Sequence, residues 1–172
     1  GIKRPEHLIA WWTLIFSFYV PDYKDYIPLR SLCRLFRDAL KMPVWASFPH
    51  PNYPTLNGLM KKFNMVYQED PNKAPKVVFV MEGTFSASCY FPEVAAMLTN
   101  VKNYVIIGYP LMIIGAGQDK TIIHGGFKIQ GMKTAGMEVN MRDMTVMRSS
   151  GNGLYNHAGL SFLCTRMTFT QC

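Results

Sequence analysis

No stretch of this sequence is apolar for long enough to cross a membrane. The longest run, Leu8 to Val20, has thirteen residues, where a helical span needs about 20, and no cluster of basic anchors flanks it. It reads as a buried helix that includes Trp11 and Trp12. Charge is sparse too: 17% of residues are charged, 18 basic against 11 acidic. The formal charge of +7 is scattered, with Arg30, Arg34 and Arg37 on one stretch and Lys61-Lys62 on another. Aromatic residues do not interleave with these charges as stacking platforms for bases would, so no nucleic-acid partner is expected. The four cysteines, Cys33, Cys89, Cys164 and Cys172, show no paired spacing of the zinc or redox kind. They read as reduced, which places the chain inside a cell, in cytoplasm or nucleus. The first residue is Gly1 rather than Met, so a removed presequence and an organelle address stay open.

What the sequence does contain is an internal repeat. Thr121-Ile122-Ile123-His124, Met144-Thr145-Val146-Met147 and Met167-Thr168-Phe169-Thr170 each begin 23 residues after the one before. Val139 returns as Phe162 at the same spacing, and Gly153-Leu154-Tyr155-Asn156 supplies a further strand between the second and third tetrads. Gly115-Ala116-Gly117, Gly125-Gly126 and Ser149-Ser150-Gly151-Asn152-Gly153 separate the segments with turn chemistry. A constant period of this length predicts stacked coils, each burying its apolar face only when a neighbour stacks on it. An antiparallel sandwich also brings short strands at regular spacing, but gives no reason for a fixed repeat. The final strand ends at Cys172 without a polar capping unit, so the stack is expected to be incomplete at its C-terminus.

Residues 5–40 read as helical. Leu29, Leu32, Cys33, Phe36 and Leu40 share one face of a single helix and Arg30, Arg34, Arg37 and Asp38 the other, with Pro28 at its start and Pro43 beyond its end. Pro43 to Pro54 reads as an extended connector, Asn57 to Phe63 as one more short helix, and Gln68 to Lys76 as a polar linker. The boundary is therefore set between a helical module of residues 1–67 and a β domain of residues 68–172.

Two resemblances attach to these segments. Phe16-Ser17-Phe18-Tyr19-Val20-Pro21-Asp22, followed by Leu29-Arg30-Ser31-Leu32-Cys33-Arg34-Leu35-Phe36-Arg37, resembles an F-box, the helical module that docks a substrate receptor onto the Skp adaptor of a cullin ubiquitin ligase. The resemblance implies that Phe16, Leu29, Leu32, Cys33 and Phe36 serve packing and adaptor contact. Further on, Val77-Val78-Phe79-Val80, Gly83-Thr84-Phe85 and Ile113-Ile114-Gly115-Ala116-Gly117-Gln118-Asp119-Lys120-Thr121-Ile122-Ile123-His124-Gly125 resemble the opening of a right-handed parallel β-helix of the pectin-lyase-like superfamily. Together they imply a mainly β chain, a right-handed parallel β-helix behind a small α-helical module, similar to ligase receptors whose β-helix is the recognition surface.

The chemistry expected of such a chain is recognition rather than catalysis. Beyond Lys76 the acids are Glu82, Glu93, Asp119, Glu138 and Asp143, and no two share a face at the repeat spacing: Asp119 and Asp143 differ by 24, one residue off. Polysaccharide lyases and hydrolases of the superfamily need clustered or paired carboxylates, so no catalytic residue is assigned. Asp143 is expected to lean on its neighbour Arg142, or on Arg166 one coil away. His124 and His157 stand 33 residues apart with no ligand at metal spacing, so neither metal nor cofactor is expected. Gly115-Ala116-Gly117 reads as a turn, since no helix follows to complete a phosphate loop. Arg142, Arg148, Tyr155 and Arg166 are the outward candidates for an extended peptide or a glycan. Two alternatives stand beside the ligase receptor, whose partner is a Skp-type adaptor. One is a structural β-helix subunit that meets neighbouring subunits of an assembly, its helices acting only as a cap. The other is a carbohydrate-active β-helix whose catalytic part lies outside the chain.

Overall fold

The computed structural model describes residues 23–40, 43–87, 103–133, 135–156 and 159–172. The apolar segment Leu8–Val20, with Phe16, and also Cys89 and His157, lie outside the described residues. The chain forms two compact units, residues 1–43 and 44–172, and residues 44–67 belong with the sheets although the sequence reading grouped them with the helices.

In the first unit the expected single helix is two. Helix α1 spans Tyr23–Leu32 and α2 spans Arg34–Ala39. Cys33 breaks them because its backbone turns extended, at φ −159° and ψ 164°, and its Sγ accepts the Phe36 amide at 3.5 Å as an N-cap. Pro28 lies inside α1 instead of at a helix start, so the Lys24 carbonyl has no amide four residues on to accept. Arg30, expected on a solvated face, reaches the end of α2 and donates from its guanidinium to the carbonyls of Arg37, at 2.7 Å, and Leu40. A cation there satisfies the carbonyls that a helix C-terminus leaves open. Ala39 and Leu40 form a small buried cluster, packed by Tyr26, Leu29 and Phe36.

The second unit is mainly strand, and its strands pair in parallel. Strand β1 (Trp45–Phe48) lies beside β2 (Val77–Val80), β2 beside β5 (Met112–Gly115), and β5 beside the first half of β8 (Glu138–Met147). The expected connector is thus, in part, an edge strand. A second ladder runs from β3 (Gly83–Ser86) through β6 (Thr121–His124) to the second half of β8, and β10 (Ser161–Thr170) follows β8 along its whole length. A third joins β4 (Tyr104–Ile107), β7 (Gly126–Ile129) and β9 (Leu154–Asn156).

The 23-residue spacing is the register of this stacking: Ile122 pairs with Thr145 and Thr145 with Thr168. Earlier steps are longer, with Val77 opposite Met112 and Met112 opposite Asn140, because loops between the strands differ in length. Alternate residues turn inward, and Val78, Val105, Ile113, Ile123, Phe127, Val139, Met141, Met144 and Val146 are fully buried in one cluster. Such alternation, with each inward residue stacked on another apolar one, gives these short strands their driving force.

Helix α3 (Leu56–Glu69) closes one edge. Its N-cap is Thr55, whose Oγ1 accepts the Gly58 amide at 3.1 Å, and it buries Leu56, Leu59 and Met60 in the main cluster. It outruns the expected short helix and takes in Gln68 and Glu69, since Val66 and Tyr67 also pack on the core. Two side chains of α3 treat β4 as a neighbouring strand would. Asn57 Oδ1 accepts the Ile106 amide at 3.1 Å, while Asn64 donates to the Ile106 carbonyl and accepts the Gly108 amide, both at 3.0 Å. An edge that would otherwise expose unpaired backbone is dressed by asparagine.

Candidate interaction surfaces

The residues expected to contact an adaptor divide. Leu32 is 69% exposed and Cys33 is exposed, whereas Leu29 and Phe36 are half-buried against Ala39 and Leu40. Leu32 and Cys33, at the junction of the two helices, are presented, whereas Leu29 before the break and Phe36 after it close the helix pair.

The outward candidates of the β domain lie on β8, β9 and β10 and on the bend after β8. Arg142 lies on β8 over Ile114 and is half-buried, not open. Arg166 sits at the bend shared by the first and second ladders. Its Nε and one terminal nitrogen donate to the two carboxylate oxygens of Asp143 at 2.5 and 3.0 Å. Asp143 thus pairs across the stack with Arg166. Both residues hold left-handed backbone, at φ 60° and 50°, which non-glycine residues seldom adopt. Arg148 is exposed at the next bend, with its Nε 3.5 Å from Gln171 Oε1. Tyr155 is on the third ladder, where Lys128 stands 5.8 Å over its ring as a cation–π pair. Arg142 and Arg166 lie one position out of register on paired strands, while Tyr155 belongs to a different ladder.

Asp119 is exposed on the turn after Gly115-Ala116-Gly117, and Asp143 is occupied by Arg166. That turn is held by the Gly117 amide donating to the Asp143 carbonyl at 3.0 Å and the Ala116 amide donating to Thr121 Oγ1 at 2.8 Å. Gly115 is obligatory, since a Cβ there would strike the Asp143 carbonyl and Met144 Cβ. The His124 pKa is lowered by burial and then by the charge of Arg148. The Cys164 thiol is pushed up by burial, and Cys33, Cys164 and Cys172 are free thiols. Among the described residues no three His, Cys, Asp or Glu side chains gather to hold a metal ion, and no helix is long and apolar enough to cross a membrane.

Several polar positions escaped the sequence reading. Asn103 is buried and bridges to the far side of a bend, donating to the Arg148 carbonyl at 3.1 Å and accepting the Ser150 amide at 2.8 Å. Tyr104 OH accepts the Asn152 amide at 3.1 Å. Two open hollows of about 370 and 460 Å³ flank Lys133 and Ser161, one reaching Asn156 and Phe162 and the other Met137 and Glu138. None of these carried a signal, because their partners lie 45 or more residues away or belong to loops outside the 23-residue repeat. No family model, no curated protein and no solved structure matches this chain.

Proposed function

We propose that this chain is a non-enzymatic recognition protein. In this reading the stacked parallel ladders are the coils of a right-handed parallel β-helix of pectin-lyase-like kind. The N-terminal helices act as an F-box-like module that docks a Skp-type adaptor, and the β-helix presents the surface for a substrate. The observation that carries the reading is Leu32, 69% exposed beside the exposed Cys33 on the F-box-like segment. A large apolar side chain held at a helix end, with a second cluster already satisfied behind it, is what a docking anchor requires.

A second reading has its own observation. Phe36 and Leu29 pack inward on Ala39 and Leu40, as they would in a cap that only closes the helix pair of a structural subunit. The experiment separates the two. Purified chain is incubated with a Skp-type adaptor, alongside Leu32→Asp, which alters an exposed residue, and Phe36→Asp, which alters a packed one. Adaptor capture by the wild type, lost in folded Leu32→Asp, supports the ligase receptor. No capture by the wild type, or unaltered capture by Leu32→Asp, overturns it and leaves the structural subunit ahead.

A further inference from the structure

We infer that Asn152-Gly153 is a site of spontaneous covalent modification, where asparagine converts to isoaspartate and loosens β9. The sequence holds two Asn-Gly pairs, Asn57-Gly58 and Asn152-Gly153. Asparagine is thermolabile because the amide of the next residue can attack its carboxamide, and glycine, having no Cβ, leaves that approach open. The fate of each pair is decided by whether its two reacting groups are already held.

At Asn57-Gly58 both are held. Asn57 is half-buried at the start of α3, its Oδ1 accepts the Ile106 amide at 3.1 Å, and the Gly58 amide donates to Thr55 Oγ1 at 3.1 Å. At Asn152-Gly153 neither is held. Asn152 is exposed on the bend between β8 and β9, and among the described residues no hydrogen bond engages its carboxamide or the Gly153 amide. The backbone on either side is anchored. The Asn152 amide donates to Tyr104 OH at 3.1 Å, the Asn152 carbonyl accepts from Ser149 Oγ at 2.8 Å, and the Gly153 carbonyl accepts the Phe127 amide at 2.9 Å. Gly153 is buried under the end of β10, where a Cβ would lie 2.7 Å from the Phe169 ring and 3.0 Å from Cys172 Sγ, a place that favours glycine.

The Gly153 nitrogen bonds to Asn152 Cγ as its proton passes to a solvent base, the Cγ–Nδ2 bond breaks, and ammonia leaves behind a cyclic imide. Water then opens the imide. Cleavage at the side-chain carbonyl gives aspartate, and cleavage at the main-chain carbonyl gives isoaspartate, in which the backbone runs through the side chain. Isoaspartate inserts one carbon between the anchors at Tyr104 and Phe127, so β9 loses its fit on β7. Strand β9 carries Tyr155, over whose ring Lys128 stands, and the modification therefore reaches one of the outward candidates. It is independent of adaptor docking.

Ageing of the purified 172-residue chain in mildly alkaline buffer tests this, beside the same chain unfolded in urea, with peptides read by mass spectrometry and isoaspartate identified from its fragment ions. In the folded chain Asn152 should convert several-fold faster than Asn57, and in urea the two rates should converge. Hydrogen exchange at Leu154–Asn156 should quicken in the aged chain but not in fresh Asn152→Asp, which adds the charge without the extra carbon. Asn152→Gln should age without that change. Equal conversion of the two pairs in the folded chain, or none at Asn152, would overturn the site. Unchanged exchange at β9 in chain carrying isoaspartate at residue 152 would overturn its effect on the strand.

Discussion

Replacing Asn64 by alanine tests the edge protection of β4. The substitution removes two hydrogen bonds of 3.0 Å, to the Ile106 carbonyl and from the Gly108 amide, both part-buried. Each such bond contributes about 1 kcal/mol net, and a buried backbone group left unpaired costs about 1–3 kcal/mol. The groups are only part-buried and water recovers some of the loss, so the expected destabilisation is about 2 kcal/mol. In a chain of this size that corresponds to a fall in Tm of roughly 4–8 °C. Urea denaturation measures the free energy, and hydrogen exchange localises it: the Gly108 amide should exchange faster while the Ile113 amide keeps its protection until global unfolding. Asn57→Ala, which frees the Ile106 amide, should cost about 1 kcal/mol, and the double variant should deviate from the sum because both side chains hold one strand edge. A loss below about 0.5 kcal/mol for Asn64→Ala, or unchanged exchange at Gly108, would refute the argument that α3 replaces a strand.

Two further outcomes follow from the bends. Gly115→Ala should destabilise by more than about 3 kcal/mol, because the added Cβ meets a backbone carbonyl that cannot rotate away; a soluble variant within 1 kcal/mol of wild type in urea would contradict this. His124 has a folded pKa below its ordinary value, so the unfolded chain binds the proton more readily. The stability contributed by the neutral imidazole is present above the ordinary histidine pKa of about 6.5 and is lost as pH falls below it. His124→Gln should flatten the stability profile between about pH 5 and 7, and a variant with the wild-type slope would assign the dependence elsewhere.

The strands were legible because their signal is local and repeated. Three tetrads of alternating apolar residues at one spacing state both that they are strands and which residues lie opposite. The register of β6, β8 and β10 matches that reading residue for residue. The Asp143–Arg166 contact was legible for the same reason, as two residues 23 apart. The helices were read less well. Leu29 to Leu40 has the spacing of one amphipathic helix, yet Cys33 caps a second. Helix periodicity cannot reveal a break whose stabilising partners, Phe36 and Leu40, are themselves in phase.

By itself, the sequence determined the strands of the repeat, their 23-residue register and the bends marked by Gly115-Ala116-Gly117 and Gly125-Gly126, since all depend on neighbours or on a period. The tertiary structure alone decided that Trp45–Phe48 is an edge strand, that α3 dresses β4, and that Arg142 is half-buried while Tyr155 lies under Lys128 on a different ladder. Those outcomes depend on loops of unequal length that bring distant residues together, and no short-range pattern encodes the length of a loop's return.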